Sequence, residues 1–574
     1  AAEAVGSLWL SAWEKAGRPT LDWSYRVPRV RGESRLVVAI LDGAGAQLVE
    51  SAADRGALPH LDALRREGSV GRLQPPFPAR AASTQATLWT GAWPRHHGVT
   101  GDGVPHPAGT IVETSPGDRS FALGAEPLWV TAAREGVTTV VAGVSQASPF
   151  TPYLEGRGFG GDFGGSLILL GQDGGEIEAA VATARDLAPR PAASWEGEIP
   201  PSSLEIEVPV GGGTLPGLLY DDREDPVVGL DTLALSATRR LDDAAVVKPS
   251  PAGRVEDGFA AVPFHTSTGP AVVHFRLFTL SGDGRDVLLW HSAGARTVGS
   301  REPVAAAAIE LGGLLPGGAP GLYQGGSFGP PLWEGGDGTA ERRYLETVRL
   351  AVRQHARLAS LVLERTRWGL ALLALPFPAE PVRLWAGRLD PALPGHDAGL
   401  AVRLRPFLDE ALRLTDAWVG ELARRTPPDA ALAVVGDRGL GGVSRVARPN
   451  VALRAAGLLA TGEDGAIDLA ATKAAYAPAG GGFLVLNLDT RPGGIQPRKG
   501  ADIVRAASIG ATREMRDPLT GEPVIAELLI PGERGAPAEI GGPSGGFLYL
   551  RPAPGVVLSV ETTGPAVETI EPRG

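Results

Sequence analysis

The chain has no cysteine and a single methionine, Met515. Without thiols there is no disulfide framework, no thiolate-ligated zinc or iron–sulfur centre and no cysteine nucleophile. Lysine is almost as scarce, confined to Lys15, Lys248, Lys473 and Lys499, so arginine carries nearly all the positive charge. With 54 basic against 65 acidic residues the net charge is −11, a field that repels polynucleotides and anionic lipid, and nucleic acid is not expected as a partner. Long apolar runs are missing too. The most apolar stretch, 358–378, contains Glu364, Arg365 and Arg367, so nothing approaches the ~20 uncharged residues that span a bilayer. Glycine and proline, by contrast, are plentiful: 79 and 50 of 574 residues, about 22 %, just under the roughly 25–30 % at which low-complexity disorder sets in. A folded, loop-rich protein with a substantial core is expected.

The chain opens Ala1-Ala2-Glu3-Ala4 without methionine. Such a start suits release at a small-residue signal-cleavage site, and implies a periplasmic or extracellular location with the signal peptide removed; trimming of the sequence is the plain alternative.

Leu36-Val37-Val38-Ala39-Ile40-Leu41 is an unbroken apolar run ending in Asp42-Gly43, the pattern of a strand buried on both faces of a parallel sheet. Helical spacing at Leu61, Leu64 and Arg65, a helix over 127–136 closing on Gly136, and a strand over 138–142 complete β-α-β units. From about 145 to 337 the texture changes to Gly/Pro-rich segments with short alternating strands, the clearest being a hairpin of 271–280 and 286–292 around Ser281-Gly282-Asp283-Gly284. The α/β rhythm then returns with helices over 339–367 and 398–425 and strands over 370–375 and 431–435, the last ending in Gly436-Asp437. The tail from about Ile503 reads as β-rich. The expected organisation is an N-terminal extension (1–35), a discontinuous α/β core (36–144 and 338–574) and a β-rich insert (145–337).

Asp42 and Asp437 both fall at the carboxyl end of an apolar strand, where open α/β sheets place their sites. Two such carboxylates can share a metal ion or simply cap helices and turns; spacing alone leaves both open. Pro59-His60-Leu61-Asp62-Ala63-Leu64-Arg65-Arg66-Glu67-Gly68, the run from Gln85 to Thr90-Gly91 and on to His96-His97-Gly98, Glu126-Pro127-Leu128-Trp129, Val435-Gly436-Asp437-Arg438-Gly439 and Asp517-Pro518-Leu519-Thr520-Gly521-Glu522 follow. Together with Leu41-Asp42-Gly43, these segments resemble the type I phosphodiesterase/nucleotide pyrophosphatase family of the alkaline phosphatase superfamily. The resemblance implies an alkaline-phosphatase-like central sheet sandwiched by helices, two metal ions, usually zinc, held by aspartates and histidines, and a Thr or Ser nucleophile.

Position by position, the resemblance puts ligands at Asp42 and Asp437, both present. Its nucleophile falls on Ala81, whose methyl group has no oxygen to attack phosphorus. Its Asp-x-x-x-His pair falls on Ala379 and Arg383, and a further histidine on Arg438. Arginine is always protonated and offers a metal no lone pair. Asp102 falls where relatives carry an Asn that touches the phosphate; a carboxylate there repels an anion. His96-His97 reads as a turn pair rather than metal ligands. The resulting expectation is a catalytically degenerate phosphodiesterase-like protein with no cofactor, acting outside the cytoplasm as a binding or structural subunit with other proteins of an envelope or extracellular assembly. The alternative is an active, zinc-dependent phosphodiesterase with a shifted nucleophile, Ser83 or Thr84, residues that otherwise cap the following helix.

Overall fold

A computed structural model describes residues 35–574 except 107, 156–158, 164, 225, 250–257, 268, 316 and 477–480, without the side chains of 173, 174, 176 and 295; the N-terminal extension expected over 1–35 thus lies, up to Ser34, outside the described residues. Its centre is a six-stranded sheet. The strands are β1 (Arg35–Leu41), β2 (Thr139–Ala142), β3 (Leu167–Ile177), β4 (Gly294–Gly299), β5 (Leu370–Leu375) and β6 (Ala430–Gly436), in the order β4-β3-β2-β5-β1-β6. All neighbours run parallel except β4, which closes one edge antiparallel to β3. Residues of β2 and β5 are buried throughout, as the absence of polar alternation in their sequences requires.

Seven helices position the site: α1 (Ala46–Asp54), α2 (Pro59–Glu67), α3 (Ala81–Thr90), α4 (Leu128–Arg134), α5 (Thr339–Arg365), α6 (Ala379–Leu389) and α7 (Ala398–Arg425). Helix α7 starts at Asp397, whose carboxylate accepts from the N–H groups of Gly399 and Leu400 at 2.8 and 3.0 Å, and ends on Arg424 and Arg425, charges that match the helix dipole at both ends. It packs against α5 and α6. Tyr344, Val348, Leu358 and Val362 of α5 and Leu404, Leu408, Trp418 and Leu422 of α7 join β1 and β5 in one core.

Three expectations need correction. The region read as insert from 145 to 337 contributes β3 and β4 to the central sheet; only strands between Ala180 and His291 form separate five- and four-stranded sheets, which share an apolar core. These sheets are fastened to α5 by a buried ion pair, Arg276 Nε to Glu346 Oε2 at 2.6 Å, beside the rings of Phe259 and Phe278. The tail contains a 13-residue helix, Ala501–Arg513, missed because strand-like Gly/Pro punctuation surrounds it. Ser83 and Thr84 do not cap a helix: α3 already begins at Ala81, and its cap position is Arg80.

Several ionisable groups are buried with this core. Burial pushes His97 down to about 3 and His274 and His355 down to about 4, so all three are neutral in the fold at pH 7. Glu380 is pushed up to about 7 by burial, against the Tyr344 hydroxyl that donates to it at 2.7 Å. A histidine with a depressed folded pKa supports the fold above its unfolded value near 6.5 and loses that support as pH falls; each of the three costs about 2 kcal/mol at pH 5. Glu380 acts in the opposite sense, holding its proton in the fold, and offsets about one of them. The urea midpoint is expected to fall between pH 7 and pH 5, and His274→Gln to flatten that slope; a midpoint that rises on acidification contradicts this balance.

Candidate functional site

The parallel register sets the site. Leu41 pairs with Leu375 on one side and Gly436 on the other, so the next residues of β1 and β6, Asp42 and Asp437, leave the sheet together at its carboxyl edge. Their backbones stay tied to it: Asp42 N–H donates to Leu375 O at 3.1 Å and Asp437 N–H to Leu41 O at 3.4 Å. The two outgoing loops touch backbone to backbone. A Cβ on Gly436 would lie 1.9 Å from Ala44 O, and one on Gly45 would lie 2.4 Å from Gly439 Cα, so both positions need glycine.

Asp437 is buried and fully engaged. Its Oδ1 accepts from Gly43 N–H at 2.8 Å; its Oδ2 accepts from Gln85 Nε2 at 3.0 Å and Arg438 Nη1 at 2.6 Å. The same Arg438 Nη1 lies 2.6 Å from Asp42 Oδ1. One guanidinium, itself 4 % exposed, therefore bridges the two carboxylates. Arg383, on the exposed side of α6, makes no ion pair within 4 Å of Asp42 but adds a weaker positive field. Burial raises the Asp42 carboxyl to about 6; Arg438 and Arg383 pull it down and the Asp437 charge pushes it up. Two carboxylates facing one close cation leave the less sheltered member, with 18 % of its side chain exposed, short of full neutralisation.

The other expected positions surround this triad. Ala81 is the first residue of α3, and Gln85, one turn later, reaches Asp437. Asp102 accepts from Ala82 N–H at 3.2 Å, occupying with a carboxylate one of the donors that a helix start offers to anions. Ala379 is buried at the start of α6, where its N–H donates to Asp42 O at 2.8 Å and its Cβ would lie 2.8 Å from any Cβ placed on Gly43. Ser83 is buried and its hydroxyl donates to Pro78 O and Arg80 O at 3.0 and 3.2 Å, away from the aspartates. Thr84 is buried, and its hydroxyl makes no hydrogen bond among the described residues.

His97 stands apart from the triad. Its Nδ1 accepts from Val99 N–H at 3.1 Å, which leaves Nε2–H to donate to Thr87 Oγ1 at 3.0 Å; His96 is exposed. Two contributors escaped the sequence reading. Gln85 had a signal, its one-turn spacing from Ala81 on the same helix face. Gln146 had none. Buried in the loop after β2 at φ 63°, it donates through Nε2 to Ala82 O at 3.2 Å and Gly117 O at 2.7 Å and so props the first turn of α3.

These groups do not fit a pair of zinc ions. Zinc needs neutral nitrogen, thiolate or carboxylate lone pairs, whereas the carboxylates of Asp42 and Asp437 face a guanidinium, an amide nitrogen and the Gly43 N–H. Among the described residues no group of three or more His, Asp or Glu side chains converges.

Comparison with known proteins agrees with the N-terminal part of this picture. Residues 36–181 match the family model described as type I phosphodiesterase/nucleotide pyrophosphatase, so the resemblance beginning at Leu41-Asp42-Gly43 holds for that stretch; Ala379, Arg383 and Asp437-Arg438 lie beyond it. Two solved structures of phosphonoacetate hydrolase from Sinorhizobium meliloti 1021 are similar to the chain. The complex with phosphonoformate has 12 % identity and a TM-score of 0.41, and the complex with phosphonoacetate 11 % and 0.43, each covering 92 % of this chain and 83 % of the hydrolase. No curated protein matches the chain in sequence.

Removing the bridging guanidinium strands two adjacent carboxylates at a buried edge. Arg438→Ala is expected to destabilise the protein by about 3 kcal/mol at pH 8, measured as a shift in denaturant midpoint, and added zinc is expected not to restore it. Because Asp42 holds its proton in the fold up to about pH 6, the loss should shrink below pH 6; an equal loss at pH 5 and pH 8 contradicts the charge argument.

Proposed function

We propose that the chain is a catalytically degenerate member of the phosphodiesterase-like hydrolases that serves, outside the cytoplasm, as a binding or structural subunit of a protein assembly. The observation that carries this reading is Arg438, which links Asp42 to Asp437 at 2.6 Å on each side, where the family resemblance implies a metal ligand. In-line displacement at phosphorus asks for an activated hydroxyl and for cations at the attacking and leaving oxygens. The helix start that would present the hydroxyl offers Ala81; of the two hydroxyls that follow it, Ser83 is bonded to Pro78 O and Arg80 O, and Thr84 is buried within the helix. Asp102 at the same helix end opposes a second anion. What the chain retains is the means of holding a shape: the paired strands, the glycine-packed loops, and the ion pair that fixes the 180–291 sheets to α5. Among the described residues no helix is long and apolar enough to cross a membrane.

Hydrolysis of a phosphomonoester, a phosphodiester, a pyrophosphate and a phosphonate, with zinc supplied, is expected at background rate. A rate that persists through purification and disappears in Ser83→Ala would replace this reading with that of an active enzyme. The assembly role and the location are read by fractionating native cells and crosslinking before extraction. Stoichiometric co-purification with other proteins from the envelope or medium is expected; a free monomer in the cytoplasmic fraction overturns it.

A further inference from the structure

Thiols and thioethers are the side chains that oxidants usually take first, and this chain has no cysteine and one methionine, Met515, which is buried. Aromatic rings are the principal oxidisable groups left, and four of them lie in contact beside α5 and α6. Tyr323, in the short helix Pro320–Gln324, is their hub. Its ring meets Trp333 edge-on at 5.3 Å, stacks on Tyr344 at 5.1 Å and 21°, and meets Trp385 edge-on at 6.0 Å. Tyr323, Tyr344 and Trp385 are fully buried, whereas Trp333 is partly exposed. Rings at such separations are ordinary core packing; a carboxylate among them is not. Glu341 is itself fully buried, and its Oε1 accepts from the Tyr323 hydroxyl at 2.7 Å and from Leu332 N–H at 2.8 Å. The Tyr323 oxygen in turn accepts from Trp385 Nε1–H at 3.1 Å. At the surface end, the Arg388 guanidinium lies over Trp333, 3.9 Å from the ring centroid.

A tyrosine gives up an electron readily only if its phenolic proton has somewhere to go, because the protonated radical cation is a strong acid. Glu341 Oε1 stands where that proton leaves. Burial, with Glu341 beside it, pushes the Tyr323 hydroxyl well above its ordinary range, so the ring keeps its proton until it is oxidised. An indole can pass a positive charge without losing its proton. A guanidinium over the ring face attracts the neutral indole but repels that charge. A hole formed at Trp333 is therefore driven inward, and Tyr323 is the ring it meets.

We propose that Trp333 and Tyr323 form a redox relay: a strong one-electron oxidant at the surface takes an electron from Trp333, and the hole moves to Tyr323 and rests there as a neutral phenoxyl radical. The oxidant gains one electron, which Tyr323 supplies through Trp333. The phenolic O–H bond breaks as its proton forms an O–H bond on Glu341 Oε1, and Trp385 Nε1–H stays hydrogen-bonded to the phenoxyl oxygen. A one-electron donor such as ascorbate returns the electron, and the proton goes back. The test uses the full chain with a photogenerated ruthenium(III) polypyridyl complex as oxidant. Electron paramagnetic resonance of the frozen sample is expected to show a neutral tyrosyl radical. Most of that signal is expected to be lost in Tyr323→Phe and in Trp333→Phe and kept in Tyr344→Phe and Tyr549→Phe. Glu341→Gln, whose amide oxygen can still accept both hydrogen bonds but is a far weaker base, is expected to lose the signal with the fold intact. No tyrosyl signal in the unaltered chain, or a full signal in Tyr323→Phe, Trp333→Phe or Glu341→Gln, overturns the proposal. Should Tyr323→Phe or Glu341→Gln fail to fold, Trp333→Phe, at the partly exposed position, decides.

Discussion

Everything at the carboxyl edge of the central sheet follows from one constraint: parallel pairing of β1 with β5 and β6 delivers Asp42 and Asp437 to the same buried place. Each strand is apolar up to its last residue, so the aspartates arrive with little solvent around them, and like charges so placed are costly unless a cation stands between them. Arg438 meets that need from the position next to Asp437, at no cost in extra backbone. The rest of the edge is arranged around it. Glycines at 45 and 436 let the two loops touch, Gln85 donates to the same Asp437 oxygen that Arg438 holds, and Ala379 closes the floor against Gly43.

A guanidinium and a pair of divalent ions solve the same electrostatic problem with different chemical consequences. Metal ions neutralise carboxylates while keeping open coordination positions for substrate oxygen; a guanidinium neutralises them and offers only N–H donors. The triad thus holds its two carboxylates together through N–H donors alone. At the start of α3, Ala81 presents a methyl group and the carboxylate of Asp102 accepts from Ala82 N–H.

Buried ion pairs recur elsewhere among the described residues. The 180–291 sheets have their own apolar core yet are pinned to α5 by Arg276–Glu346, an ion pair at only 1 % and 7 % side-chain exposure. The C-terminal region packs its own cluster around Tyr476, Phe483 and Tyr549, with Arg445 and Asp517 paired inside it. Such buried pairs add specificity of docking more than net stability.

The sequence by itself determined the elements whose signal is local. The apolar runs at 36–41, 370–375 and 431–435 and the amphipathic stretches at 339–365 and 398–425 announce their strands and helices, because burial on both faces or on one stripe leaves its mark residue by residue. Strand-end aspartates were legible for the same reason. Assignments that depended on partners far along the chain were left to the tertiary structure. Strands β3 and β4 sit among Gly/Pro-rich segments and belong to the central sheet only through pairing with β2 and with each other. Ala379 begins a helix rather than a ligand loop because its N–H finds Asp42 O. That one arginine bridges both aspartates, while Arg383 stays at the exposed side of α6, is decided by where α6 and β6 come to rest. Distances of a few ångströms between residues some 400 positions apart have no counterpart in local pattern; only packing sets them.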